Sequence, residues 1–366
     1  MTDQATDMED GECGIPARAD PVRAGVNPLY FLIVFVPLGI YGMFEIISLT
    51  LVSSRISLGA EALDPAREAL EIAGRMPFVG AVWLYALSVI LVFTVVLSDL
   101  ARPLDWLTRA LAVAVVAVPV VPLWQSVVKH QQQPEMTRSY HQLGRDMFEA
   151  ALARGDLAAC SGADQSWFLW SCTEAPLVMV LRNLLDLMNL ISALGIGLLI
   201  AGMILTLSCS RTHKDLRPEE KAFELAQGQR EMRKYLYLSG LQLTIGMFVT
   251  LTWMRWPQQM LEDGWRAQYE LIVNGYAVFS GVFYSLLILG FYVPVALIHE
   301  ARARALADAV IRDAAPDGKL GRIRQIDSWK EAQGLSHGRL QSLREGLAVA
   351  APILAALAGT FSPLGG

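Results

Sequence analysis

The sequence predicts an all-α polytopic membrane protein: a six-helix transmembrane bundle with a helical external loop and a helical cytoplasmic C-terminal tail. Of the 366 residues, 54% are hydrophobic and only 18% are charged, whereas about a quarter of the residues in soluble domains are charged. The apolar residues cluster in runs of the length that a helix needs to cross a bilayer core of about 30 Å. The alternating pattern of barrel strands is absent from the sequence, so helices are the expected spanning form.

Six apolar runs approach the length of about 20 residues that a spanning helix requires. The third run is the shortest and contains Pro119 and Pro122, so it is the span that we expect to be interrupted. Together the six runs define a transmembrane domain over residues 30–298. The predicted spans are 30–52, 78–97, 111–128, 184–207, 235–254 and 271–297.

The distribution of lysine and arginine predicts that both termini lie in the cytoplasm. With this orientation, 20 of the 30 basic residues fall on the cytoplasmic side, where membrane proteins concentrate positive charge. We therefore expect an integral protein of the plasma (inner) membrane, in direct contact with the lipid bilayer. The net charge of −5 argues against nucleic acid as a partner.

Four polar segments lie outside the predicted spans. Residues 1–29 are acidic and rich in turn-forming residues, which predicts a disordered tail. Residues 129–183 form a partly helical external loop that caps the bundle. Residues 209–234 form a basic cytoplasmic loop, with a helix expected from Pro218 because proline suits a first helical turn. Residues 299–366 form a helical cytoplasmic tail, where we expect any soluble protein partner to dock.

The tail ends in an apolar run, residues 347–359, which contains Pro352 and is short for a membrane span. Three interpretations of this run stay open: a core helix of a small cytoplasmic domain, a contact between subunits, or a re-entrant segment. A true seventh span would instead place the C-terminus outside.

Two cysteines of the external loop are a candidate disulfide. Cys160 and Cys172 both lie in the predicted external loop, and a disulfide persists only in an oxidising compartment. The alternative is a pair of free thiols that lie too far apart to bond. Cys13 and Cys209 fall on the predicted cytoplasmic side.

Ionisable residues inside predicted spans are costly and therefore mark candidate pore or ion-binding positions. Glu45 lies within the first span and is a candidate to bind a cation or relay a proton; the alternative is a protonated or hydrogen-bonded structural carboxyl. Arg182, Asp186 and Asn189 share one helical face near the fourth span, since their spacing is i, i+4 and i+7. This face lines a vestibule or bonds to the external cap.

Two polar residues of the fifth and sixth spans complete the candidate set. Gln242 and Asn274 are suited to hydrogen bonds between helices, and the alternative is that they line a pore.

Small residues repeat at every fourth position in the fourth and sixth spans, and this spacing lets two helix backbones approach closely. We expect both faces to be helix contacts, within one chain or between two copies. The residues are Ala193, Gly197 and Ala201 in the fourth span, and Ala277, Gly281 and Ser285 in the sixth.

The sequence carries none of the short motifs typical of nucleotide-binding loops, hydrolase elbows or zinc sites. We therefore expect a protein that is not an enzyme and that has no cofactor, metal site or catalytic residue.

These features favour an oligomeric channel or pore-type protein, built as a homo-oligomer and regulated through its cytoplasmic tail. The alternatives are a membrane-anchored sensor or scaffold that docks a soluble partner, and a small dimeric transporter.

Overall fold

The computed structural model describes residues 24–52, 62–64, 66–67, 71–132, 166–167, 170–171, 177–210, 216–312, 318–336 and 339–361. Nearly all of this part of the chain is helical, which confirms the all-α class. The predicted disordered tail and most of the predicted external loop lie outside the described residues.

Nine α-helices form the described architecture, with short turns of other helical types beside α1 and α6. The helices are α1 (Phe35–Ile47), α2 (Glu71–Leu100), α3 (Trp106–Ala117), α4 (Val120–Gln132), α5 (Leu177–Leu205), α6 (Pro218–Arg255), α7 (Asp263–Arg312), α8 (Gly318–Ala332) and α9 (Arg339–Phe361). A 3-10 helix, Pro28–Val34, leads into α1, a π-helical turn, Ser48–Val52, follows it, and a second 3-10 helix, Trp256–Met260, follows α6.

The described residues include four two-residue strands, which form two antiparallel pairs. The strands are β1 (Ala24–Gly25), β2 (Ser166–Trp167), β3 (Trp170–Ser171) and β4 (Cys209–Ser210). β1 pairs with β4 and β2 pairs with β3, so the first described residues are fixed beside the end of α5.

Seven of the described helical segments are long and apolar enough to cross a membrane, judged by length and composition. Six of them overlap the six predicted spans, and the seventh is the apolar helix α9. The segments are Pro28–Ile47, Ala73–Leu100, Trp106–Gln125, Leu184–Leu205, Pro218–Met260, Asp263–Ile311 and Leu340–Gly359. The fold is thus compatible with an integral membrane protein.

Local sequence explains where several helices begin and where the third span breaks. The Asp105 carboxylate accepts a hydrogen bond from the backbone N–H of Thr108 and caps the start of α3. Pro218 occupies the first turn of α6, which confirms the predicted start of that helix. The predicted interruption of the third span lies between α3 and α4 at Pro119, which has no N–H to continue the helical ladder.

Helices α5, α6 and α7 form the centre of the bundle. In Leu184–Leu205, on α5, 61% of the most apolar stretch is buried, against 22% in Pro28–Ile47. α1 packs on α7, α2 packs on α5 and α6, and α3 and α4 pack on α5. The outer helices therefore turn most of their apolar surface away from the core, as expected where lipid surrounds a bundle.

Helix α9 packs lengthwise in the groove between α6 and α7. A methyl group added at Gly240 would lie 2.6 Å from the carbonyl oxygen of Ala348, and one added at Gly281 would lie 3.0 Å from that of Pro352. Such contacts require the small residues that are found there. α9 is therefore a part of the bundle, which differs from the interpretation of residues 347–359 as the core of a separate domain.

Polar contacts fix the direction of α9 relative to α6. Near its start, Glu345 accepts a hydrogen bond from the Arg233 guanidinium, and near its end the carbonyl oxygen of Gly359 accepts one from Arg255. The two helices therefore run parallel. Residue 24 and residue 361 consequently lie at opposite ends of the bundle, whereas the sequence predicts both termini on one side.

Helix α7 also continues without interruption through the predicted domain boundary at residues 298 and 299 and ends only at Arg312. The predicted tail thus begins inside a helix of the bundle.

We expect the start of α6 and the end of α9 to be accessible from opposite sides of the membrane. In a chain whose four native cysteines are replaced by serine, Glu219→Cys and a cysteine appended after Gly366 are tested with a membrane-impermeant maleimide on intact cells. Because α9 runs parallel to α6, each position should react from a different side. Glu262→Cys, in the exposed connection after α6, is the control and should react from the same side as the appended cysteine. Labelling of both test positions from one side would show that α9 does not cross.

Candidate functional site

A cavity lies beside the break in the third span. It contains about 810 Å³ of space not occupied by atoms, including the part that opens to the surroundings. Its walls come from α1, the corner between α3 and α4, α5 and α7, all at positions inside the candidate membrane spans. Because α1 packs on α7 while α3 and α4 pack on α5, the cavity lies between these two groups of helices.

The proline-containing corner shapes one wall of the cavity. Pro119 and Pro122 both line it, and neither has an N–H to donate to the carbonyl four residues earlier. α3 approaches α5 closely before the corner, since a methyl group at Gly197 would lie 2.5 Å from the carbonyl oxygen of Val116. The break between α3 and α4 at Pro119 thus lies in the wall of the cavity.

The opposite wall is aromatic. The rings of Phe44 on α1 and Phe283 on α7 are stacked with their centroids 3.8 Å apart, and both line the cavity. Leu287 and Ile200 extend this apolar surface. Polar atoms come from few side chains, as is typical of cavities that bind small molecules.

A second, smaller cavity adjoins the first and contains about 500 Å³ of unoccupied space. Its walls come from α2, α5, α6 and α7, and they include the hydroxyl-bearing residues Tyr85 and Thr250. The two cavities have four lining residues in common. These residues are Asn189, Ser192, Ile196 and Tyr284.

Of the predicted pore or ion-binding residues, Asn189 lies in the wall of both cavities. Asp186 is buried about one turn earlier on α5, outside the wall of either cavity. Arg182 is on the same helix, and its side chain lies outside the described part of the structure. Glu45 is half-buried on α1 beside Phe44 and does not line either cavity.

Gln242 and Asn274 make contacts between chain segments distant from one another. Gln242 is fully buried, and its amide nitrogen donates to the hydroxyl of Tyr85 across 3.5 Å. Asn274 accepts a hydrogen bond of 3.3 Å from Arg255, at the end of the bundle opposite residue 24. Gln242 thus contacts Tyr85, a wall residue of the smaller cavity, whereas Asn274 lines neither cavity.

The two faces of small residues contact different partners. On α5, Gly197 lies against Val116 of α3, and Ala193 and Ala201 are fully buried. The small face of α7 lies against α9 instead. There Gly281 contacts Pro352 and Ala356, while Ala277 and Ser285 are buried. In a single chain the α7 face is already occupied.

The candidate disulfide, Cys160 with Cys172, lies outside the described residues. Cys209, which the structure does describe, is a free thiol in β4. Burial raises the pKa of the Cys209 thiol, and the nearby Arg302 guanidinium offsets only part of this effect. The thiol is therefore protonated at neutral pH, which makes it a poor nucleophile.

Sequence reasoning missed a charged cluster at the end of the bundle where residue 24 lies. The buried Asp99 carboxylate accepts hydrogen bonds from the Lys234 ammonium, at 2.8 Å, and from the Tyr235 hydroxyl. Arg102 forms ion pairs with Asp99, at 2.9 Å, and with Glu231, at 2.7 Å. The cluster joins α2 to α6 and closes the bundle at this end.

Within the described part of the chain, no group of three or more His, Cys, Asp or Glu side chains is arranged to hold a metal ion. Comparison with known proteins gives no relative: no protein-family model, curated protein or solved structure matches this chain.

We expect Asp99→Asn to lower the free energy of unfolding by about 2 kcal/mol, because the substitution leaves the cations of Lys234 and Arg102 without their buried counterion. The measurement is unfolding in mixed detergent micelles followed by circular dichroism. Asp263→Asn is the matched control: it removes the same charge from an exposed pair with Arg67 and should cost clearly less stability than Asp99→Asn. Equal losses in the two variants would contradict a special role for the Asp99 cluster.

Proposed function

We propose that this chain is an integral membrane protein that binds a small, largely apolar molecule from the bilayer in the larger cavity. The proposal places it among membrane sensors or small carriers, two classes that the sequence leaves open. It rests on one observation: a cavity with apolar and aromatic walls and few polar groups lies inside the bundle. Because its unoccupied space of about 810 Å³ includes the part that opens to the surroundings, the chemistry of the walls and not the size of the cavity supports the proposal.

The position of the cavity supports a ligand that arrives through lipid. Every wall belongs to a helical segment apolar enough to cross a membrane. α1, on one side of the cavity, exposes Phe35, Met43 and Ile46, and α4, on the other, exposes Val121 and Trp124. An apolar molecule can thus approach between α1 and α4 without leaving the hydrocarbon region.

The sensor class gains support from the continuity of α7. Phe283 and Leu287 on this helix line the cavity, while Ala303 further along it is buried in a separate group of apolar residues. Trp329 of α8 packs against this group. Because α9 runs through the bundle, we limit the proposed docking region of a cytoplasmic protein partner to residues 299–336, the part of the segment 299–366 that precedes α9. We include a homo-oligomer and a plasma (inner) membrane location in the proposal, and assign no catalytic activity and no cofactor.

We expect saturable labelling of the cavity walls by a medium-chain alkane that carries a photoreactive diazirine, with the protein in lipid nanodiscs and the adducts mapped by mass spectrometry. Ile196→Trp fills the wall that the two cavities share and should weaken labelling there about tenfold. Leu194→Trp, on the lipid-exposed face of the same helix, is the control and should leave the labelling unchanged.

An excess of the alkane without the diazirine should reduce the labelling if the probe binds at a specific site, but not if the probe only dissolves in the lipid. Labelling that does not saturate, or that Ile196→Trp leaves unchanged, would overturn the proposed function.

A channel is the second candidate, and a specific observation favours it. Asp186, Asn189 and Ser192 follow one another at intervals of three on α5, and the last two lie between the cavities. With Glu45 half-buried on α1, these residues give the bundle polar groups inside candidate spans. An ion path through the largely apolar cavity requires a more open arrangement or several subunits.

If the protein is a channel, proteoliposomes should conduct ions, and Glu45→Gln should change the ion preference or block the current because it removes the carboxyl group from the candidate span. Glu219→Gln, at the exposed start of α6, is the control and should leave conductance unchanged. Absence of conductance across pH and voltage would count against the channel and leave the binding proposal intact.

A further inference from the structure

We infer that the ligand is an uncharged amphiphile with a hydrogen-bond-donating head, an alcohol, whose hydroxyl occupies the smaller cavity while its apolar chain occupies the larger one. The inference rests on the proposed function and adds the chemical class of the ligand. Three properties of the two cavities carry it: the difference between their walls, the absence of charge from both, and the hydrogen bonds already made by their hydroxyl groups.

The walls of the two cavities differ in polarity. The larger cavity is bounded mainly by aliphatic, proline and phenylalanine side chains. In the smaller one, Tyr85 and Thr250 add hydroxyl groups from α2 and α6 to those shared with the larger cavity. Asn189, Ser192 and Ile196 lie on one face of α5, since they are three, then four residues apart. This face lines both cavities, so a ligand that occupies both lies along it.

The lack of charged residues among the described walls disfavours a ligand with an ionic head group. None of the described residues that line either cavity is Asp, Glu, Lys, Arg or His. An ionised head placed between them would lose its hydration without gaining a counterion, which costs far more than the burial of a hydroxyl group that finds a partner. Fatty acid anions, phosphate esters and quaternary amines are thereby disfavoured.

The hydrogen bonds that the wall already makes favour a ligand whose head group donates a hydrogen bond. The Ser192 hydroxyl donates its proton to the carbonyl oxygen of Met188, at 2.7 Å, and the Thr250 hydroxyl donates to that of Gly246, at 3.2 Å. A hydroxyl has one proton and two lone pairs.

The Tyr85 hydroxyl accepts from Gln242 and is also hydrogen-bonded to Ser192, so Tyr85 donates to the Ser192 oxygen, whose own proton is already used. The Thr250 oxygen, with its proton likewise used, offers an acceptor site in the wall of the smaller cavity. A ligand hydroxyl can donate to such an oxygen, whereas an ether or ester head can only accept.

The test compares medium-chain diazirine probes of equal length that carry a hydroxyl, a methyl ether, a sulfonate or a trimethylammonium head, with the full-length protein in nanodiscs. The alcohol should label the cavity walls saturably and bind about tenfold more tightly than the ether. The two permanently charged probes should give no saturable labelling there.

Substitutions at Thr250 test the hydrogen bond itself. Thr250→Val keeps the shape and removes the acceptor, so it should abolish the advantage of the alcohol and leave binding of the ether unchanged. Thr250→Ser should retain the advantage. Thr252→Val is the matched control, because Thr252 makes the same kind of bond to its own helix and lies outside both cavities.

The outcomes separate the two proposals. Equal binding of alcohol and ether, saturable binding of a charged probe, or an alcohol preference that survives Thr250→Val would each overturn this inference and leave the proposed function standing. Failure of every probe to label the cavity saturably would overturn both.

Discussion

The satisfaction of backbone hydrogen bonds in an apolar medium is the constraint on which this structure depends. Surrounded by lipid, each N–H and carbonyl must find its partner within the chain, so long helices are the default. The described fold departs from this default inside a candidate span at Pro119, between α3 and α4. The departure coincides with the cavity, and α5 packs behind it through Gly197. The loss of helical regularity and the cavity thus occur at the same place in the fold.

Close approach between helices organises the rest of the bundle. α6 is the element around which the others assemble, since α2, α5, α7 and α9 all pack on it. Where the backbones meet, glycine permits the contact, as at Gly240 and Gly281. Charged groups then act at the ends: Arg233 with Glu345 near one end of α9, and Arg255 at the other. A basic side chain beside the last carbonyls of a helix also complements its dipole.

The sequence is informative wherever the determining residues are close together in the chain. The apolar runs mark the spans, Pro218 marks the start of α6, and Pro119 marks the break, because each effect acts within one or two helical turns. The polar face of α5 that contains Asn189 is likewise visible from its spacing. The position of α9 is not visible, because a short apolar run has no local property that separates a span from a core helix.

The parts of the site that sequence reasoning missed depend on long-range pairing. Asp99 and Lys234 are separated by 135 positions and are joined only when α2 packs on α6. Phe44 and Phe283 resemble many other aromatic residues of the spans until α1 lies on α7. Glu45 shows the converse: an acidic residue in an apolar run is conspicuous in the sequence, yet it does not line the cavities that the fold creates.

The length of α7 has a mechanical consequence. Its 50 residues extend about 75 Å at about 1.5 Å per residue, more than twice the thickness of a bilayer core of about 30 Å. One continuous rod therefore carries Phe283 in the cavity wall and Ala303 in the apolar group beside α8. Pro294 lies between them and removes one hydrogen bond of the helix backbone, so we expect the helix to bend most easily there. In the proposed function, a ligand beside Phe283 is thus connected to α8 through a single helix.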